Sequence, residues 1–151
     1  MMARILSNYA YTLLHLTQIS EAAELEKEAV SLFHDLVEAG EEATYSFCIS
    51  LQNYGWCCHF LGQHTEALLA YQESIPLLHA QIATNPGKSV YLVTVLHNMA
   101  NSLHDLGKTA EAEAAAIEAL QMNDGELVKT CRYASNFSSC FVCQRTITSD
   151  S

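Results

Sequence analysis

Cysteine and histidine side chains offer the most reactive chemistry in this sequence. Cys57, Cys58 and His59 are adjacent, so a thiol and an imidazole stand side by side, as a nucleophilic enzyme would require. Consecutive residues of a helix point in different directions, however, so this adjacency does not assemble a catalytic pair. The sequence also contains no glycine-rich phosphate loop, His-Glu-x-x-His helix or nucleophile elbow. We therefore predict that the protein is not an enzyme and binds no cofactor.

A second group of thiols lies toward the C-terminus, at Cys131, Cys140 and Cys143. Three thiolates could bind zinc, but a specific zinc module needs a fourth ligand at a recognisable spacing, and no histidine follows His104. The sequence therefore predicts no metal site, although a redox-active or zinc-binding tail stays open as an alternative. The other cysteines lie in apolar helical stretches, where a free thiol behaves as a small hydrophobic side chain.

Composition narrows the class of partner. The 151 residues fit one domain or a short run of repeats, and 50% of them are hydrophobic, which is enough for a core. The formal net charge is −10, whereas binding to nucleic acids or anionic membranes requires a positive surface. No stretch reaches the ~18 apolar residues of a membrane span, and no signal peptide is evident. We expect a cytoplasmic protein with reduced thiols that binds neither nucleic acid nor membrane.

The sequence repeats itself with a fixed period. Leu61-Gly62 and Leu106-Gly107 lie 45 positions apart, and a further step of 45 reaches Leu16-Thr17 without a gap. Several columns of this frame are identical in all three copies, which chance does not produce in one ungapped register. These columns are Leu6/Leu51/Leu96, Asn8/Asn53/Asn98, Leu16/Leu61/Leu106, Glu21/Glu66/Glu111, Ala22/Ala67/Ala112 and Glu28/Glu73/Glu118. The chain therefore contains three copies of one unit.

Each copy is predicted to form two helices. In the first helix, apolar or small residues recur at i, i+3, i+4 and i+7, which defines one face of an α-helix. We expect Gly55 on the first helix to face Ala67 on the second, because small residues let two backbones approach closely. The second copy shows the spacing at Leu51, Tyr54, Gly55 and Cys58.

Turn and capping residues support the same division. Gly62 is expected to form the tight turn inside a hairpin, and Gly40 to end a second helix. Thr44 and Ser89 are predicted N-caps of the following first helices. Pro76 falls inside a second helix and predicts a local kink, since proline forfeits one backbone hydrogen bond.

These signals divide the chain into a repeat domain over residues 3–123 and a C-terminal segment over residues 124–151. The three copies span residues 3–40, 44–85 and 89–123. The C-terminal segment abandons the repeat, and we expect it to form a capping helix on the third copy followed by a disordered tail. The abrupt start at Met1 leads us to expect that the chain is a piece of a longer array.

The second copy resembles the tetratricopeptide (TPR) repeat, because small residues stand at the same offsets and a Leu-Gly turn precedes Glu-Ala. The resemblance is carried by Asn53-Tyr54-Gly55 through Leu61-Gly62-Gln63-His64-Thr65-Glu66-Ala67 to Tyr71. The first copy departs from it, with Thr17 in place of glycine and Glu26 in the position of Tyr71. The period exceeds the standard ~34 residues and is similar to the long hairpins of the kinesin-light-chain-like variant, while HEAT and armadillo repeats of ~40–47 residues also fit it. The resemblance implies an all-α fold, an α-solenoid of three antiparallel helix hairpins wound into a right-handed superhelix.

The resemblance also implies a protein-interaction module, in which the first helices line a concave groove that binds a peptide or a helix. Asn8, Asn53 and Asn98 match the family position that hydrogen-bonds the backbone of a bound peptide. The alternative is that these amides bond a neighbouring helix end. Side-chain selectivity is expected from Tyr11, Trp56 and Asn101, with His59 and His104 flanking the groove, although Trp56 could equally pack between repeats.

A structural role is the other function that the sequence leaves open. A solenoid segment could bind nothing in its groove and serve as a spacer or an oligomerisation segment of a larger multidomain signalling protein. The ends of such a stack could also mediate self-association. Because the predicted groove carries little formal charge, we expect a neutral polar or mildly basic ligand.

Overall fold

The structure is a computed structural model that describes residues 1–122, and within that range it consists of six α-helices and no strands. The helices form three successive antiparallel hairpins, which confirms the prediction of an all-α solenoid. They are α1 (Met2–His15), α2 (Ile19–Glu38), α3 (Thr44–Phe60), α4 (His64–Thr84), α5 (Ser89–Asp105) and α6 (Thr109–Gln121), with a 3₁₀ turn (Pro86–Lys88) between α4 and α5. The predicted capping helix, the tail and Cys131, Cys140 and Cys143 lie outside the described residues.

Helix ends follow the sequence repeat. The second helices begin at Ile19, His64 and Thr109, which are successively 45 positions apart, and α3 and α5 end at Phe60 and Asp105, also 45 apart. Each second helix packs on the first helix of its own hairpin, and α2 and α4 also pack on the first helix of the next hairpin, α3 and α5. The repeated sequence unit is therefore also the structural unit of the stack.

The turn inside each hairpin has a left-handed residue at the same place. Gly62 and Gly107 have φ angles of 77°, and Thr17 has a φ of 63°. In the second hairpin the N–H of Gln63 donates to the carbonyl of Cys58 at 2.8 Å, and that of Gly62 donates to the carbonyl of His59 at 3.1 Å. These two bonds satisfy the last carbonyls of the helix, and the left-handed conformation that they need favours glycine. The turn predicted at Gly62 is confirmed.

The predicted N-caps were wrong by one residue. Thr44 and Ser89 are the first residues of α3 and α5, and the capping positions belong to Ala43 and Lys88, neither of which makes a side-chain cap bond. Before α5, the side chain of Asn85 accepts a hydrogen bond from the N–H of Gly87 at 3.1 Å and so caps the 3₁₀ turn instead. That turn runs directly into α5, which removes the need for a cap at Ser89.

A close approach inside the second hairpin joins Gly55 of α3 to Tyr71 of α4. A Cβ atom added to Gly55 would lie 2.5 Å from Cε1 of Tyr71, so the tyrosine ring, one turn beyond Ala67, occupies the space that glycine leaves. Tyr71 is fully buried. α4 continues through Pro76 from His64 to Thr84, so the proline does not break the helix.

The other hairpins fill the same space differently. The positions of Gly55 and Tyr71 correspond to Ala100 and Ala116 in the third hairpin, and both alanines are buried. In the first hairpin they correspond to Ala10 and Glu26, and the carboxyl group of Glu26 is fully buried. The same backbone frame thus encloses an aromatic ring, a pair of methyl groups or a carboxyl group.

Candidate functional site

An open cavity of about 320 Å³ lies where the first helices of the three hairpins come together. Its lining combines polar side chains with a hydrophobic part formed by Phe33 and Ile49. The full lining is Arg4, Ser7 and Asn8 of α1, Phe33 of α2, Tyr45, Ser46 and Ile49 of α3, and Tyr91 of α5. All three hairpins therefore contribute to one concave site.

Two tyrosine rings form one wall of this cavity. The rings of Tyr45 and Tyr91 meet edge to face with centroids 5.4 Å apart, and Nζ of Lys88 lies 4.4 Å from the centre of the Tyr45 ring. Lys88 is held there by a hydrogen bond that it donates to Oε1 of Gln81 at 2.7 Å. Burial, together with the hydrogen bond to Tyr91, raises the pKa of Tyr45 to about 12. The Tyr45 hydroxyl is therefore neutral at neutral pH, and its oxygen can accept a hydrogen bond from a ligand.

The sequence predicted a neutral polar or mildly basic ligand, but the charged groups at the cavity are themselves basic. Arg4 is the charged residue among those that line it, and the ammonium group of Lys88 stands beside the tyrosine wall. No carboxylate belongs to the described lining. A neutral or acidic group on a ligand is therefore better matched to this cavity than a basic one.

The three repeated asparagines have different surroundings. Asn8 is exposed and lines the cavity, which leaves its amide accessible to a ligand. Asn53 is half-buried, and its Nδ2 donates a hydrogen bond to Oε1 of Glu26 at 2.9 Å. Asn98 is half-buried on α5. The structure thus places Asn8 at the cavity and engages Asn53 with the neighbouring hairpin.

The partner of Asn53 is a buried carboxyl group that the sequence did not single out as a site. Glu26 also accepts a hydrogen bond from Oγ of Ser7 at 3.3 Å, and Ser50 donates to Ser7 at 3.1 Å. Burial raises the pKa of Glu26 from 4.5 to about 7, and the hydrogen bonds from Asn53, Ser50 and Ser7 partly oppose that rise. The sequence did contain a signal for this site, because Glu26 stands where the second copy has Tyr71. A charged residue at that buried position needs polar partners.

The residues of the second predicted column have different surroundings. Tyr11 is exposed, and its ring meets that of His15 edge-on at 4.5 Å. Trp56 is half-buried against the core between the first and second hairpins, and its ring centroid lies 4.2 Å from that of Phe60. Nδ2 of Asn101 lies 3.3 Å from Nε2 of His97.

The two predicted flanking histidines also differ. His59 is half-buried, with Nδ1 2.9 Å from Oγ of Ser102, whereas His104 is exposed. Burial lowers the pKa of His59, and the nearby Asp105 carboxylate partly opposes that change. His59 is therefore tied to the third hairpin rather than aimed at the cavity described above.

The thiols beside His59 are not arranged for nucleophilic chemistry. Cys57 belongs to the core between the first and second hairpins, whereas Cys58 belongs to the core that contains Tyr71. Burial raises the pKa of Cys57 to about 12 and also raises that of Cys58. Both cysteines are therefore protonated at neutral pH and enclosed, which makes them inert.

Sequence reasoning missed the tyrosine wall. Tyr45 and Tyr91 stand in adjacent columns of the repeat frame, so they do not repeat with its period, and the search for repeated residues passed over them. Their proximity depends on how two first helices pack side by side, with Lys88 supplied by the turn between α4 and α5. The available signal was their position on the first helices, about one turn before Ile49 and Thr94, which stand in one column of the repeat frame.

Comparison with known proteins finds a match to one family model. Residues 92–123 match the tetratricopeptide repeat model, which covers most of the third hairpin. No curated protein matches the chain. Tetratricopeptide repeats generally mediate protein–protein interaction and are generally non-catalytic. Among the helices of residues 1–122, none has the length and apolar content needed to cross a membrane.

Proposed function

We propose that the protein is a non-catalytic module that binds a peptide or a helix in the cavity formed by α1, α3 and α5. The observation that carries the proposal is that the first helices of all three hairpins line one open cavity, as expected for an array whose inner wall receives a ligand. The match of residues 92–123 to the tetratricopeptide repeat supports the same function. The long hairpins further support a relationship to the kinesin-light-chain-like variant.

The proposed contacts follow from the chemistry of the lining. Asn8 offers donors and an acceptor to a peptide backbone, and Asn98 is the proposed equivalent on the third hairpin. Phe33 and Ile49 provide an apolar surface for a side chain, while Arg4 favours a neutral or acidic group. The proposed surface is extended along the same helices by Tyr11, Trp56, Asn101, His59 and His104.

Asn53 has a different role in this proposal. Its Nδ2 is engaged by Glu26, so it positions α3 against α2 and contributes at most its carbonyl oxygen to a ligand. Changing Asn53 to alanine would also remove a partner of a buried carboxyl group, which costs stability. Loss of binding in that variant would therefore not identify a ligand contact.

A binding experiment with exposed lining residues tests the proposal. Peptides are selected against the full chain from a random library, and the affinity of the best one is measured by fluorescence anisotropy. Asn8→Ala should weaken binding about 10-fold, because one backbone hydrogen bond contributes about 1 to 1.5 kcal/mol. Arg4→Ala should weaken binding of an acidic peptide by a similar factor and reduce its dependence on salt.

Matched variants on the second helices control for non-specific effects. Gln72→Ala removes an exposed amide from α4, and Lys27→Ala removes an exposed cation from α2. Both should bind the selected peptide like the wild type. If no selected peptide binds, or if Asn8→Ala and Arg4→Ala bind as tightly as the two controls, the cavity is not a peptide site and the spacer interpretation is favoured.

A further inference from the structure

Three potential metal ligands converge where the second hairpin meets the third. His59 lies near the end of α3, His64 is the first residue of α4, and Asp105 is the last residue of α5. Nε2 of His59 lies 3.8 Å from Oδ2 of Asp105, and Nε2 of His64 lies 3.9 Å from the same oxygen. One ligand atom from each residue can be chosen so that all three lie within 4.8 Å of one another. The turn at Gly62 brings the two imidazoles together, since it lies between them in the sequence.

These atoms lie too far apart for direct hydrogen bonds and leave space between them for a cation. Separations of 3.8 and 3.9 Å exceed the range of an N–H···O bond. Around a tetrahedral zinc ion, ligand atoms at ~2.0–2.1 Å from the metal lie about 3.3 Å from one another. Side-chain rotations that shorten the separations from 3.8 Å, and from at most 4.8 Å, to about 3.3 Å would give that geometry.

The orientation of His59 fits the same chemistry. Its Nδ1 lies 2.9 Å from the hydroxyl oxygen of Ser102, which is fully buried on α5. If Nδ1–H donates to that hydroxyl, the lone pair of Nε2 faces Asp105 and His64. Metal-bound histidines generally use their second nitrogen in this way, because the outer hydrogen bond fixes both the tautomer and the orientation of the ring.

Packing alone does not require polar residues at these positions. In the seam between the first and second hairpins, the equivalent positions hold Leu14, Ile19 and Phe60, and Cys57 stands in the place of Ser102. Leu14 and Ile19 pack there against the apolar core that contains Cys57. Apolar side chains thus fill these positions between the first and second hairpins. Between the second and third hairpins, the equivalent positions hold two imidazoles, a carboxylate and an orienting hydroxyl.

We propose that His59, His64 and Asp105 bind a divalent metal ion of the zinc class, which clasps the second hairpin to the third. Imidazole nitrogens with one carboxylate oxygen suit zinc, and three protein ligands leave a fourth position for water. Asp105 is partly exposed, so that position is accessible to solvent. The sequence led to the expectation of no metal because these ligands lie on three helices, without the close spacing of a zinc motif.

Zinc binding to the full chain tests the proposal. Because thiolates of the C-terminal segment could bind zinc themselves, the reference protein carries Cys131→Ser, Cys140→Ser and Cys143→Ser. Competition with a chromophoric chelator should give one zinc ion per reference chain. Cobalt substitution should give visible d–d absorption without the charge-transfer band of a thiolate ligand. Zinc should also raise the melting temperature of the reference protein.

Three variants of the reference protein locate the site. His64→Ile installs the residue that the first seam already accommodates, and Asp105→Asn keeps the shape of the carboxylate; each should weaken zinc binding about 100-fold or more by removing a ligand. Ser102→Ala should weaken it about 10-fold to 100-fold, because it removes the orienting hydroxyl but no ligand. His79→Ala removes an exposed histidine from α4 and should leave zinc affinity unchanged.

Circular dichroism confirms that each variant is folded before its affinity is interpreted. Absence of stoichiometric zinc from the reference protein would overturn the proposal. It would also be overturned if folded His64→Ile and Asp105→Asn both bound zinc like His79→Ala. Because these measurements use metal alone, they do not depend on whether the cavity between α1, α3 and α5 binds a peptide.

Discussion

Replacing Glu26 by glutamine should change how the stability of the protein depends on pH. Glutamine keeps the size of the side chain and an acceptor oxygen for Asn53, but it cannot ionise. In the folded protein, burial raises the pKa of Glu26 from 4.5 to about 7. The carboxyl group is therefore neutral in the folded chain at pH 5 and charged in both states at pH 8.

The sign of the effect follows from proton binding. Between pH 4.5 and about 7, the folded state holds a proton on Glu26 that the unfolded state has released. The stabilising contribution is therefore complete below pH 4.5, decreases as the pH rises, and is lost once the pH has passed about 7. The difference between the two pKa values corresponds to about 3 kcal/mol. Oε2 of Glu26 is buried without a hydrogen-bond partner among the described residues, so ionisation places charge on an unsolvated atom.

Urea unfolding followed by circular dichroism at several pH values measures this effect. The free energy of unfolding of Glu26→Gln, relative to the wild type, should increase by about 2 to 3 kcal/mol between pH 5 and pH 8. Glu28→Gln makes the same change in net charge at an exposed position of α2 and should show a much smaller change. If the difference between Glu26→Gln and wild type stays constant across this range, Glu26 does not titrate as the buried site requires.

Three further predictions concern packing and backbone. Thr17→Gly should stabilise the protein by about 1 kcal/mol in urea unfolding, because Thr17 holds a left-handed φ of 63° that disfavours a β-branched residue. Gly55→Ala should destabilise it by about 2 kcal/mol through contact with the Tyr71 ring, yet be neutral or stabilising in a Tyr71→Ala background, and additive effects in the double-mutant cycle would contradict this. Cys57 and Cys58 should resist alkylation at pH 8 until the protein unfolds, as measured by peptide-resolved mass spectrometry, since both thiols are buried and their pKa values are raised.

The sequence predicted most of the fold because the repeat frame carries the information that defines a hairpin. Gly62 predicted the turn, and helix ends at Phe60 and Asp105 keep the period. The capping error at Ser89 arose because the preceding 3₁₀ turn makes a cap unnecessary, and that turn depends on a local bond from Gly87 to Asn85. Periodicity assigns residues to faces, but it does not reveal such irregular connections.

The site was less predictable because its contacts join different hairpins. Identical residues in one column suggested one shared role for the asparagines, yet Asn53 is engaged by Glu26 and Asn8 lines the cavity. The reason is that Glu26 has Tyr71 and Ala116 as its counterparts, so the carboxyl group that engages Asn53 does not recur in the other hairpins. A column of identical residues therefore predicts a common backbone position rather than a common partner.

Positions at which the three copies differ carry more functional information than positions at which they are identical. A stack of hairpins requires side chains of suitable size at each seam, and apolar residues such as Leu14 and Ile19 meet that requirement without hydrogen bonds. Placing polar groups at the equivalent positions costs desolvation free energy unless they acquire partners. His59 acquires Ser102 as such a partner, whereas Nδ1 of His64 is buried without one among the described residues. The polar groups between the second and third hairpins therefore cost desolvation free energy that packing does not require. Binding of a cation by the imidazoles and the carboxylate together would offset this cost.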